Sequence, residues 1–335
     1  MHSRPSFFSC LCWLLFISAT AGLQESAASA YKQGNSCDSK FRGSLAHFQD
    51  PVVTTDSSTC IIPFSRAGNL IIIRAKVDTM EGNFIFDTGA PTLVLNTTYF
   101  RDYPATGGDT DEQGGITGAV ASGGHTTVSS LTFGAVKYRG VEADRISLGH
   151  LESSKGIKIL GMLGMQLFKQ FELIIAYEKS IIYIYLISRK DPADYKSDLL
   201  KDESKYITSS VDLVENKLIT SAFMSGKKLS FIIDTGAESN VIDSRLPNKV
   251  FENIIINRRV MLTGTGNKKI EALSGNVNKM TIGNQDINNL PVIVTNLKKL
   301  CISYARCLDG MLGFDFLSQQ KIGFNFVKRK MYIWK

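Results

Sequence analysis

Short runs of Ile, Val, Leu, Phe and Tyr, separated by glycine-rich turns, dominate the chain from about residue 60 onward. Phe84-Ile85-Phe86, Phe231-Ile232-Ile233 and Ile181-Ile182-Tyr183-Ile184-Tyr185 are typical. Runs this short, rich in β-branched and aromatic residues and bounded by turn residues, predict strands. Long stretches of helical periodicity are scarce. The expected fold class is therefore mostly β.

Two of these strands end in the same unusual way. Phe84-Ile85-Phe86 runs into Asp87-Thr88-Gly89-Ala90, and Phe231-Ile232-Ile233 runs into Asp234-Thr235-Gly236-Ala237. An apolar run that delivers an ionisable group out of a core is costly unless the charge is paired or used. The repeat extends further. Asn69 and Asn216 stand 147 positions apart, as do the two aspartates. Ile116-Thr117-Gly118 answers to Leu262-Thr263-Gly264, and Leu131-Thr132-Phe133-Gly134 to Met280-Thr281-Ile282-Gly283. Ile159-Leu160-Gly161-Met162-Leu163-Gly164 answers to Leu308-Asp309-Gly310-Met311-Leu312-Gly313, now at a spacing of 149. Each half closes on an aromatic β run, residues 181–185 and 331–334. One period of this size implies two duplicated domains and is too long for a solenoid or propeller repeat. Two β-barrel-like lobes are expected, with the aspartates meeting in a cleft between them.

Composition sets the boundaries. With 335 residues and 44% hydrophobic content, the chain supports two ordinary cores. Residues 188–205 are charged and carry Pro192, which marks a linker between a first lobe (60–187) and a second (206–335). Residues 22–59 are polar and turn-rich, a loosely structured lead-in. The net charge of +7 comes from scattered Lys and Arg, which reads as a solvated surface and not as a nucleic-acid footprint.

Residues 7–21 are almost wholly apolar, follow Arg4 and end in Ala19-Thr20-Ala21. This reads as a secretory signal peptide, residues 1–21, cut before Gly22, with Ala28-Ser29-Ala30 as an alternative cut. The run is shorter than the roughly 20 residues a membrane span needs, so no stable span is expected. Export places the protein in a periplasmic, cell-surface or extracellular setting. Cleavage removes Cys10 and Cys12 and leaves Cys37, Cys60, Cys301 and Cys307. An even count in an exported chain suggests disulfides. Of the three pairings, Cys37–Cys60 with Cys301–Cys307 is favoured because each bridge is local. No CxxC occurs and the histidines are scattered, so neither a metal nor a cofactor is expected. His47, His125 and His150 read as surface residues. Asn96-Thr97-Thr98 is a glycosylation sequon, but its place just after the first signature suggests packing.

With these motifs in hand, the chain resembles the aspartic proteases of the pepsin/retropepsin clan in a single-chain, duplicated form, most of all bacterial retropepsin-like aspartyl proteases. The resemblance covers roughly residues 65–335. It implies that Asp87 and Asp234 form a catalytic dyad, and that Thr88 and Thr235 hydrogen-bond across the lobe interface. Gly89 and Gly236 would permit the close approach of two facing loops. Ile159-Leu160-Gly161 would be the strand packed against the active-site loop. Asp309 departs from the family pattern, standing where an apolar residue is usual. The clan also closes a hairpin over its substrate. The glycine-dense segment 110–127, with Gly114, Gly115, Gly118, Gly123 and Gly124, is the candidate for that flap and suits a plain surface loop equally well. It lacks the tyrosine typical of pepsin flaps; residues 258–269 are its counterpart in the second half.

Two touching carboxyls cannot both ionise easily and share one proton, the known behaviour of aspartic-protease dyads. Such a pair activates water without a nucleophilic side chain. No GxSxG, HExxH or P-loop offers a competing chemistry. The expectation is an exported endopeptidase acting on peptides or proteins in extended conformation, working as a monomer because one chain supplies both aspartates. The alternative is a non-catalytic binder of peptide or glycan on the same fold.

Overall fold

A computed structural model describes residues 50–54, 59–105, 112–115, 118–188, 191, 195–263, 269–298 and 307–335. The expected signal peptide and most of the lead-in lie outside them. Strands dominate the described residues, as the sequence pattern requires.

The first half builds a closed six-stranded barrel from β1 (Leu70–Val77), β2 (Met80–Phe86), β3 (Leu93–Asn96), β4 (Gly118–Phe133), β5 (Val136–Ile146) and β6 (Gly161–Leu163). Around the barrel the order is β1-β4-β5-β3-β6-β2, with β2 pairing back to β1. The pairs β3–β5 and β2–β6 are parallel. The second half repeats this arrangement with β7 (Lys217–Met224), β8 (Lys227–Ile233), β9 (Val241–Asp243), β10 (Lys269–Ile282), β11 (Gln285–Thr295) and β12 (Gly310–Leu312). Its order, β7-β10-β11-β9-β12-β8 and back to β7, matches strand for strand, including the parallel pairs β9–β11 and β8–β12. The internal repeat in the sequence is thus a repeat of topology.

A six-stranded antiparallel sheet joins the barrels. Thr59–Pro63, Ile181–Leu186 and Phe171–Ala176 come from the first half, and Ile322–Asn325, Lys330–Trp334 and Tyr206–Val214 from the second. The halves meet where Ile174 stands opposite Gly323. The two aromatic β runs that close the repeats are therefore strands of one shared sheet.

Strand alternation decides which core each side chain enters. Phe84 and Phe86 point into the main core, which runs through both barrels and the shared sheet. Ile85, between them, points the other way, into a small cluster with Ile72, Val94 and Met162. The second half does the same: Phe231 and Ile233 enter the main core, and Ile232 joins Ile219, Val241 and Met311. Each signature strand is thus buried on both faces, which explains its unbroken apolar run. Burial on both sides fixes the strand end where the aspartate begins.

One sequence expectation changes here. Cys60 is a free thiol, 5% exposed, and the Cys37–Cys60 bridge is not formed at its Cys60 end. The alternation of Thr59–Pro63 turns Cys60 into the main core, where its sulfur accepts the Ala135 N–H at 3.3 Å. Cys37 itself lies outside the described residues. Cys307 belongs to a disulfide; Cys301, its expected partner, lies outside the described residues. Asn96 is fully buried, as its place in the sequence suggests, with its side chain donating to Ile159 O at 2.8 Å and accepting from the Thr98 and Leu148 N–H groups, so the sequon's asparagine does not face solvent.

Candidate active site

Strands β2 and β8 are enclosed up to Phe86 and Ile233, and the aspartates that follow are half-buried. Each strand extends one further bond sideways: Asp87 N–H donates to Leu163 O and Asp234 N–H to Leu312 O, both at 3.0 Å. The parallel neighbours β6 and β12 thereby place the aspartates. The chain then folds back over each carboxylate. Asp87 Oδ1 accepts from Gly89 N–H at 2.8 Å and Ala90 N–H at 3.0 Å. Asp234 Oδ1 accepts from Gly236 N–H at 2.8 Å, while Ala237 N–H goes to the Asp234 backbone carbonyl at 3.3 Å.

Thr88 and Thr235, 0% and 2% exposed, fill the space between the two loops. Thr88 Oγ1 accepts the Thr235 N–H, and Thr235 Oγ1 accepts the Thr88 N–H, both at 3.0 Å. Each hydroxyl also donates across the interface, Thr88 to Ile233 O at 3.1 Å and Thr235 to Phe86 O at 2.8 Å. Gly89 and Gly236 carry the closest approach: a Cβ on Gly89 would collide with the Asp234 carboxyl, and one on Gly236 with that of Asp87. The structure thus brings Asp87, Asp234, Thr88, Thr235, Gly89 and Gly236 to one place, with each carboxyl against the glycine of the opposite loop.

Burial pushes both carboxyls above the usual carboxylate range, Asp234 the further because it also feels the Asp87 charge. Against this, Asp87 accepts two backbone N–H groups and Asp234 one. Donors to an oxygen favour its charged form. The extra donor favours the charged form at Asp87 more than at Asp234. The Lys217 ammonium favours ionisation of both.

The surroundings break the two-fold symmetry. Glu238, in the second active-site loop, pairs with Lys155 of the first-half helix Gly149–Lys155. It also accepts the Asn69 N–H at 3.0 Å, while the Asn69 side chain donates to the Glu238 backbone carbonyl at 3.2 Å. The equivalent position in the first half is Pro91, which has no carboxylate. The repeated asparagines were visible in the sequence; the Lys155–Glu238–Asn69 contact between halves was not, because it depends on three separate segments.

The candidate flap forms an antiparallel hairpin in which Glu112–Gly115 pairs with β4, Gly114 opposite Ala119 and Gly115 opposite Gly118. Residues 116 and 117 lie outside the described set. Farther along β4, His125 is exposed, as expected, and its Nδ1 lies 2.5 Å from Asp144 Oδ1. Asp144 also accepts from the Thr92 hydroxyl at 2.5 Å, which ties the base of the hairpin to the first active-site loop. Asp309, the family departure, is half-buried and accepts the Ser230 N–H at 2.7 Å, so it pins β8 to the segment before β12. Among the described residues, no group of His, Cys, Asp and Glu is arranged to hold a metal ion, and no helix is long and apolar enough to cross a membrane.

Two like barrels, each ending a buried strand in Asp-Thr-Gly, with the pairs joined through reciprocal threonine bonds, define a duplicated aspartyl protease architecture. The family model described as aspartyl protease matches residues 73–167 and again 220–316, more than half of the chain. The chain belongs to the aspartyl protease family, in a duplicated single-chain form. No curated protein matches it.

Proposed function

We propose that this chain is an exported aspartic endopeptidase that hydrolyses peptide bonds in extended substrates. The observation that carries this reading is the placement of Asp87 and Asp234, each carboxyl against the glycine of the opposite loop, inside the threonine-locked interface. A pure binding protein gains nothing from two adjoining carboxyls whose burial raises their proton affinity.

In the proposed reaction a water molecule sits between the carboxyls. Ionised Asp87 takes its proton while Asp234 donates its own to the scissile carbonyl oxygen. The hydroxide oxygen bonds to the carbonyl carbon and gives a neutral gem-diol. Collapse of that diol returns a proton to Asp234, the C–N bond breaks, and the leaving amine takes the proton that Asp87 had received. The dyad ends in its starting state. Export rests on the N-terminal signal-like segment in the sequence, and peptide substrates on the family.

The test is cleavage of a peptide library by the chain lacking residues 1–21, with and without a statine-type transition-state mimic. Cleavage that the mimic blocks supports the reading, since such ligands bind tightly only to an assembled dyad. Tight binding of library peptides without cleavage at any pH would favour the non-catalytic alternative.

A further inference from the structure

We infer that Lys217 is a positioning residue of the dyad: its ammonium, supplied by the second half alone, holds the Asp87/Asp234 pair in its singly ionised form. This rests on the reading of the two aspartates as the catalytic pair.

The position follows from strand register. In the β7–β8 hairpin, Leu218 stands opposite Ile233. One step outward, the same register sets Lys217 opposite Asp234. The β1–β2 hairpin has the same register, with Ile72 opposite Ile85, so two steps outward Leu70 falls opposite Asp87. The two positions are equivalent in the repeat but differ in chemistry. Leu70 is 3% exposed and packs with Ile72, Ile85 and Met162. Lys217 is half-buried. Side chains directly opposite in an antiparallel pair lie on one face, close enough to interact.

The other charges near this position do not cancel the effect. Glu215 lies in the turn before Lys217, and Asp212 lies two residues from its cross-strand partner Val214. The second inter-lobe contact carries Lys155 and Glu238, which are paired with each other. Asp212 and Glu215 are exposed, whereas Lys217, Asp87 and Asp234 are half-buried, where water screens less. Both respond to its charge in the same sense, toward ionisation.

A cation here counters burial. Burial alone drives both carboxyls toward the neutral form, and a dyad with two protons has no base to activate water. An opposite charge a few ångströms away lowers a carboxyl's proton affinity by about one pH unit or more. Lys217 thus extends the working range of the monoanion toward acid.

The test is a carboxyl-carbon NMR titration of the dyad in the chain lacking residues 1–21, for wild type, Lys217→Met and Lys217→Arg. The Met variant should move the first dyad midpoint to higher pH, and the acid limb of kcat/KM should move with it. The Arg variant should titrate as wild type. Lys217→Gln, polar and uncharged, should shift in the same direction as Met and stands as the test if Lys217→Met does not fold. A Met or Gln variant that titrates as wild type, or an Arg variant that shifts as far as Met, would overturn the inference. Because the titration needs no turnover, an absence of cleavage at every pH would count against the endopeptidase reading and leave this one decided separately.

Discussion

Thr88 and Thr235 are each donor and acceptor to the opposite loop: each backbone N–H bonds to the other threonine's hydroxyl at 3.0 Å. Both hydroxyls spend their own protons on the opposite strand ends, at Ile233 and Phe86. The set is closed, dry and two-fold symmetric. It fixes the aspartate-bearing loops to each other more directly than any feature of the surrounding barrels.

Replacing one threonine by valine keeps the volume and removes the hydroxyl. Thr88→Val leaves the Thr235 N–H and the Ile233 carbonyl buried without partners, at a cost of about 1–3 kcal/mol each. Urea denaturation should show a loss of about 2–6 kcal/mol, with activity falling more steeply than stability. Thr88→Ser, which keeps the hydroxyl, should stay near wild type.

Gly89→Ala and Gly236→Ala test the closeness of the loops. Either Cβ would strike the opposite aspartate. The expected result is a folded protein by circular dichroism with at least a hundredfold lower kcat/KM, since a displacement near 1 Å costs about that much. Wild-type activity in either variant would mean that the loops lie farther apart than described.

The raised proton affinity of both aspartates has two consequences. The activity profile should be bell-shaped and centred at weakly acidic to near-neutral pH. Alanine at 90 and 237 supplies no side-chain hydroxyl to the carboxylates, so the double variant Ala90→Ser, Ala237→Ser should move the profile toward acid. Stability follows the same sign. A carboxyl whose proton affinity is higher folded than unfolded contributes stability that is full below its unfolded value, near 3.8, and is lost as pH rises through the folded value. Thermal melts of wild type and Asp234→Asn should therefore converge at acid pH and diverge toward neutrality, with the asparagine variant the more stable there.

Because one chain carries both signatures and shares one sheet between its halves, specific activity should not change on dilution. Light scattering across the same concentrations should report a monomer. A steep fall in specific activity with dissociation would contradict pairing of the two halves within one chain.

Much of this was legible in the sequence, and the reason is local. Each signature strand is buried on both faces, so its apolar run and the Asp that ends it stand out without any knowledge of the fold. Duplication then turned one ambiguous Asp-Thr-Gly into a pair. What escaped depends on contacts between distant segments. Lys217 gains its meaning only from the β7–β8 register. Glu238 gains its own from Lys155 and Asn69, which lie 83 and 169 residues away. His125 is the surface residue it reads as, but its Asp144 partner comes from β5 and is not visible in the local sequence. Cys60 follows strand alternation into the core, a signal present in Thr59–Pro63 but overridden by counting cysteines.

The central claim is that Asp87 and Asp234 act as one catalytic unit. The most direct measurement is kcat/KM on a cleaved library peptide for Asp87→Asn, Asp234→Asn and the double variant, each verified as folded. Groups that act together lose their effect together. Each single variant should fall to background, and the double variant should be no worse than either single one. A single variant that retains most of the wild-type turnover would contradict the account.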